Sequence, residues 1–490
     1  MSRKAAKKRP IKKGESMNRH LMVSTVALIL ATANASAFAQ APAPADTPRA
    51  PSLDTSELLP KKATDERSSG GPLASVGQAL ADDGVTFRSK LDDEYARNVT
   101  GGANQGSTNV GQVFVGADVD FDRLAGWSGA SLHVTGYRDY GVGMSKHVTG
   151  TFFKQQGIYK NEYPEYHLGL VSLEQKLFDG DLDLLVGRLG TTNLYGQTDI
   201  NCYFQSGATC GVPTVLNSES GFGLLPSATW GGNVKYYVTK QIYAQAGAFE
   251  VNPTVAPSNG TNWTTDGATG VTVPFEIGYQ DANFNKTRYP TEIKLGYYAS
   301  TPPLTDPYYN AKGTSAVLAG GKLVASTDLR SGVYLMGDRV LWRPDTGSNM
   351  SLAVFGGIAQ PLEEEEVIDR QVFGGLLLRD PFGRSTRDDT IGFEVSWFHV
   401  SPREMEALRD NRLKLHGGGI ENPNEVNFEL NYGWAVTKSI RLTPNIQYTA
   451  NPESANLPKI SFVPRNMIVY GVKLNIDFAD LLGLPGRAAD

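Results

Sequence analysis

The sequence predicts an all-β protein, a transmembrane antiparallel β-barrel of about 16 strands with short periplasmic turns and long extracellular loops. Three observations carry this. The chain opens with an export signal. After that signal no apolar run is long enough for a spanning helix. The remainder alternates apolar and polar residues in long strands whose connections are short and long by turns.

The export signal comes first. "MSRKAAKKRPIKKGESMNRH" is basic, "LMVSTVALILATANA" is apolar, and Ala37-Phe38-Ala39 is a small-residue cleavage site. This order predicts a signal peptide over 1–39, cut after Ala39. Met17 is an alternative start, because "MNRH" alone makes an ordinary basic region. The apolar run falls short of the ~20 residues of a membrane anchor. Residues 1–39 hold eight Lys/Arg and one Glu, so the mature chain keeps 38 basic and 50 acidic residues, a net charge of −12. An acidic exported chain argues against nucleic acid as a partner. Export also permits a disulfide. Residues 40–83 read as a Pro/Ala-rich periplasmic lead-in in which "LASVGQALADDG" forms a short helix.

The barrel domain is expected over 84–478. Its clearest strand is the last, "MIVYGVKLNIDF". Ile468, Tyr470, Val472, Leu474, Ile476 and Phe478 share one face, opposite Val469, Gly471, Lys473, Asn475 and Asp477. "EVNFELNYGWAV", "RLTPNIQYTA" and "DTIGFEVSWF" repeat the period of two. A soluble sandwich alternates as well. These strands, however, approach the ~9–11 residues that cross a bilayer, and their aromatics sit near strand ends, as interfacial girdles do. In hydrocarbon every backbone N–H and C=O needs a partner, so such strands must close on themselves.

Connection lengths give the topology. With the last strand running into the periplasm, turns are expected at 436–439, 380–389, 344–349, 281–290, 238–240, 178–180 and 121–129. Outer segments are expected at 450–466, 401–423, 360–368, 301–330, 253–271, 191–227, 142–165 and 98–108. A barrel of about 16 strands leaves a water-filled lumen, so the chain reads as a channel.

Six blocks resemble the carbohydrate-selective porin (OprB-type) family in family order: "SLEQKLFDGDLDLLVGRLG", "NCYFQSGATCGVP", "WGGNVKYYVTKQIYAQAGAFEVNP", "GVYLMGDRVLWRP", "RDDTIGFEVSW" and "NYGWAVTKSIRLTPNIQYTANP". The resemblance spans residues 80–478 and implies an outer-membrane sugar channel. The family ends at the terminal Phe of its last strand. Here "ADLLGLPGRAAD", residues 479–490, follows Phe478 as a C-terminal extension.

Both cysteines, Cys202 and Cys210, fall in the third outer segment. The expectation is that they form a disulfide holding this segment in the lumen, on the reasoning that a loop in water cannot rely on an apolar core. A surface staple against proteolysis is the alternative. Two cysteines with no nearby His make a poor metal set. A sugar has hydroxyls, which charged groups bind, and C–H faces, which rings cover. Pore-lining candidates are therefore Glu174, Lys176, Arg188, Arg138, Tyr203 and Phe204, with Tyr195 as a further ring. In "LVSLEQKL" alternation turns Glu174 and Lys176 inward. For Arg188 and Arg138 strict alternation points outward, whereas the resemblance and the rim position favour the lumen. "PLEEEE" at 361–366 reads as a solvated loop.

Passive diffusion of monosaccharides such as glucose is the expected function, with other polyols or small organic acids as the alternative. No Walker pattern, G-x-S-x-G or H-E-x-x-H occurs, so an enzyme is not expected, nor a cofactor. A plugged adhesin is the third class. Implied partners are small sugars, outer-membrane lipid and lipopolysaccharide, and the barrel assembly machinery. Monomer and homotrimer both stay open.

Overall fold

The computed structural model describes residues 70–484 apart from 159–165, 198–199, 256–257, 282–286, 327, 347 and 385–387. The signal segment, the lead-in up to residue 69 and tail residues 485–490 lie outside the described residues. Sixteen strands close into one antiparallel barrel. In chain order they are β1 Val85–Gly102, β2 Gly106–Asp120, β3 Ala130–Gly141, β4 Tyr166–Leu177, β5 Leu182–Leu189, β6 Thr229–Tyr237, β7 Ile242–Val251 and β8 Gly270–Gln280. Then follow β9 Thr291–Ser300, β10 Arg330–Trp342, β11 Ser351–Pro361, β12 Ile368–Arg379, β13 Thr390–Val400, β14 Asn424–Ala435, β15 Ile440–Ala450 and β16 Arg465–Asp477. Each strand pairs with its sequence neighbours, and β1 closes on β16 from Lys90↔Asp477 to Gly102↔Arg465. Closure leaves no unpaired edge, which is the condition for strands in hydrocarbon.

The expected turns and outer segments all recur as connections. The first differs in extent: β1 and β2 run on to Gly102 and from Gly106, so the segment drawn over 98–108 shrinks to a tight turn. The terminal strand keeps its reading. Met467, Val469, Gly471, Lys473 and Asn475 are buried inward, while Tyr470 and Val472 are exposed outward. Phe478 is the exception. The strand ends at Asp477, whose side chain caps a short helix, Phe478–Leu482. The expected helix in the lead-in forms at Ala74–Asp82. Leu73 N–H donates to Leu482 O at 2.9 Å, tying the two ends of the described chain together.

The outer side carries the apolar residues, including Val115, Val234, Leu295, Leu335 and Leu430. This is the band that faces lipid. The inner side is polar over much of the wall, but not over β9–β13. There Tyr298, Tyr334, Met336, Phe355, Phe373 and Phe398 point inward and are buried. Two of these rings rest on glycines of the neighbouring strand. Tyr334 lies over Gly296 and Tyr298 over Gly332, each pair in direct register. A Cβ on Gly296 would stand 2.0 Å from Tyr334 Cζ, and one on Gly332 would stand 2.3 Å from the Tyr298 hydroxyl.

A two-stranded hairpin, Leu304–Asn310 with Leu323–Ser326, and the helix Pro402–Lys414 build the outer loops. Arg403 binds them together through Asp306, Glu364 and Glu365.

Candidate pore constriction

The third outer segment, residues 190–228, leaves the end of β5, crosses the lumen and returns to β6. Its backbone is fastened to inward side chains around the barrel. Gly196 N–H donates to Glu276 at 3.0 Å, and Gln245 donates to Leu194 O at 2.8 Å. Glu429 accepts from Gln205 N–H at 3.0 Å and from Ser206 N–H at 2.7 Å. Gln371 donates to Ala208 O at 2.7 Å and accepts from Val215 N–H at 3.1 Å. Lys473 Nζ reaches Phe204 O at 3.2 Å and pairs with Glu94 at 3.3 Å. A loop away from bulk water needs such partners for its backbone groups.

The loop also has an apolar core. Tyr195, Ile200, Phe204, Val212, Val215, Leu216 and Phe222 pack on the inward rings of β9–β13. Phe204 lies 5.3 Å from Phe355, and Phe222 lies 5.5 Å from Tyr298. The premise that such a loop cannot bury an apolar core is therefore corrected. A strand apolar on both faces, such as "GVYLMG", had to be covered on its inner side as well. The second outer segment packs on the third and narrows the lumen further. Phe153 stacks on Phe398 at 5.4 Å, and Gly207 N–H donates to Lys154 O at 2.7 Å.

The cysteines lie in this loop, in contact with the lumen side of β16. Their Sγ atoms stand 3.0 Å apart and are unbonded here. Gly157 packs against them, since a Cβ there would sit 3.0 Å from Cys210 Sγ.

The candidate residues separate into three groups. Tyr203 keeps part of its surface open, between two guanidinium groups: Arg379 lies 5.4 Å and Arg441 5.6 Å from its ring centre. Phe204 and Tyr195 are fully buried and pin the loop to the wall. Tyr195 donates to Asn233 and meets Phe249 edge-on at 6.1 Å.

Glu174 faces inward as alternation requires, yet it is 0 % exposed. It stands 3.4 Å from His133 Nε2, whose Nδ1 lies 2.6 Å from Asp118, itself paired with Arg88 at 2.6 Å. This chain of charges belongs to the wall and is corrected as a sugar contact. Lys176, near the periplasmic end of β4, is part-exposed and faces inward with Glu174.

Arg138 and Arg188 follow alternation instead of the resemblance. Arg138 is exposed on the outer side, with its guanidinium 5.4 Å from Tyr166. Arg188 pairs in register with Val171 and Trp230, both outward, and lies 5.9 Å from the Trp230 ring. Both are corrected as lumen residues, because one residue of register decides the face. In 361–366, Glu364 is 86 % exposed, as a solvated loop requires. Glu366 is not: it is buried, 3.1 Å from Arg330 and near Glu219 of the third segment. Among the described residues no group of His, Cys, Asp and Glu could hold a metal ion.

Arg379 and Arg441 escaped the sequence reading. Both end their strands on the inward parity, in "FGGLLLR" and "SIRLTPN". A charged residue on the inward parity at a strand end was the signal available.

The model of the carbohydrate-selective porin, OprB family, matches residues 104–478. The chain belongs to this family. Among similar proteins, Porin B of Pseudomonas aeruginosa is 26 % identical over 417 residues, 81 % of this chain and 88 % of that one. A putative porin, QuiX, of Acinetobacter baylyi is 24 % identical over 404 residues, 78 % of this chain and 88 % of that one. The structure of Pseudomonas putida OprB at high pH superposes with a TM-score of 0.72 at 26 % identity, covering 82 % of this chain and 96 % of that one. Membership in the OprB family makes the chain an outer-membrane channel for carbohydrates, a transport protein of the Gram-negative outer membrane. The family implies a channel rather than an enzyme.

Proposed function

We propose that the channel passes monosaccharides of glucose size by passive diffusion, and that selection occurs where the third segment crosses the lumen. The observation that carries this reading is the part-open Tyr203 ring between Arg379 and Arg441. A pyranose lays its C–H face on the ring, while the flanking guanidinium groups donate to its hydroxyls. Neither contact is strong enough to trap the solute, which conduction requires. Lys176 stands one residue from the periplasmic end of β4 and adds an inward cation to the wall. No bond change is asked of any side chain, so the protein works as a sieve rather than an enzyme. The Cys202–Cys210 pair forms a disulfide in the oxidising envelope and stiffens the crossing.

Single-channel recording in a planar bilayer tests the reading. Glucose should block wild-type current reversibly, and Tyr203→Ala should raise the blocking concentration several-fold while current persists. Equal block in wild type and variant would move the selecting contact elsewhere.

A further inference from the structure

Guanidinium groups gather at the Tyr203 ring: Arg379 and Arg441 flank it. Arg441 donates to three neutral oxygens: Asp388 O at 2.6 Å, Thr390 Oγ1 at 3.3 Å and Gly433 O at 3.4 Å. At the next turn Arg343 donates to Ser348 O at 2.8 Å, and Arg288 donates to Arg343 O at 3.0 Å and to Pro344 O at 2.8 Å. Burial and the positive charge of Arg379 hold the Arg343 pKa below its usual value, which marks how close these cations stand.

The carboxylates facing this arc are already engaged. Glu429 accepts from two loop N–H groups and from Asn431 at 2.9 Å, and Glu394 accepts from Thr209. Asp389 accepts from the Tyr432 hydroxyl at 2.9 Å and from Ala435 N–H at 2.8 Å. Asp380 accepts from Arg384 N–H at 2.8 Å. A neutral sugar calls for donors and acceptors in mixture. An arc of guanidinium groups beside one ring face suits a sugar that carries its own anion.

We propose that this constriction takes carboxylated sugars, hexuronate- and aldonate-type anions, in preference to neutral ones, with the sugar face on Tyr203 and the carboxylate between Arg379 and Arg441. The proposal rests on the reading of Tyr203 as the selecting ring. Guanidinium–carboxylate bonds are charge-assisted and about twice as strong as neutral ones. Their reach is set by screening, with a Debye length of about 10 Å at 0.1 M salt and about 3 Å at 1 M.

The test compares glucose, glucuronate and the neutral methyl ester of glucuronate as blockers of single-channel current in 0.1 M and 1 M KCl. Glucuronate should block at a several-fold lower concentration than glucose at 0.1 M. The ester should behave like glucose, and the preference should shrink at 1 M. Arg441→Gln should abolish most of the preference, and Arg441→Lys should restore part of it. The reversal potential in a salt gradient should shift toward cations in Arg441→Gln and in Arg379→Gln, which gives a second readout if one variant assembles poorly. Glucuronate blocking no better than glucose, with glucose still blocking, would overturn the proposal and leave the monosaccharide reading intact. Failure of both solutes to block would overturn the monosaccharide reading itself.

Discussion

Replacing Phe204 by alanine should loosen the third segment more than removing both cysteines does. Phe204 is fully buried, lies 5.3 Å from Phe355 and fills the space above Gly392, where a Cβ would stand 3.0 Å from its ring. Truncating a buried Phe to Ala costs about 3–5 kcal/mol. A Cys202–Cys210 bond closes a loop of about eight residues and contributes about 2.5 kcal/mol in the chain-entropy model. The loop keeps its backbone bonds to Glu429, Gln371 and Glu276 in both variants. Both should therefore still assemble as closed barrels, with unchanged β-signal in circular dichroism and unchanged heat-modified migration. They should differ in the recording: Phe204→Ala should show large open-channel noise and weak glucose block, and the double Ser variant a small increase in noise. If the double Ser variant proves the noisier, the bond and not the apolar core holds the loop, and the reasoning from packing fails.

Four further outcomes follow from the same geometry. Glu174→Gln and Arg138→Ala should leave the glucose blocking concentration unchanged, because one side chain is sealed in the wall and the other lies outside the barrel; a several-fold shift in either would return that residue to the pore. Val472→Arg, on the lipid side of β16, should cost about 2–4 kcal/mol in urea unfolding if it lies near mid-bilayer. Asn475→Asp should also destabilise, because the Asn475 amide donates to Asp92 and the new carboxylate would face that acid; wild-type stability in Asn475→Asp would contradict the inward contact. The last outcome concerns pH. Burial first, and then the neighbouring Glu219, raise the Glu366 pKa well above the unfolded carboxyl's value of about 4.3. A raised carboxyl favours the folded contact fully below that unfolded value and loses the contribution as pH rises toward its folded pKa. Proteolysis of the third segment should therefore quicken on the alkaline side, and Glu366→Gln should flatten that dependence; a flat wild-type profile would refute it.

The barrel was legible because lipid imposes a period of two on the outer face, and β16 displays it in every residue from Ile468 to Ile476. The turn positions were legible for a related reason. A periplasmic turn is short and polar, so it interrupts the alternation cleanly at "FDG" and "VTK". Lumen contacts were less legible, because inward parity says that a residue points in, not whether another segment lies over it. Glu174 and Tyr203 show the difference. Glu174 points inward and is sealed by its neighbours on the wall, whereas Tyr203 rides on the third segment and stays part-open, a difference that strand parity does not contain. Arg188 shows where resemblance misled, since alternation alone put it outside. The apolar inner face of β10 could have been read from "GVYLMG", where Tyr334 and Met336 alternate with Val333 and Leu335 and no polar face is left.

The pairing of Tyr334 over Gly296 and Tyr298 over Gly332 makes bare backbone a calibrating element of the bore. A methyl at position 332 would claim the place of the Tyr298 ring. That ring would have to swing off the wall, and Phe222 of the crossing segment lies 5.5 Å away in its path. One added carbon on the wall would thus be magnified into displacement of a whole aromatic group and then of the loop behind it. Changes in permeability during evolution need not arise at positions that touch the solute. They can enter through glycines that never meet it, with the strands and their register untouched.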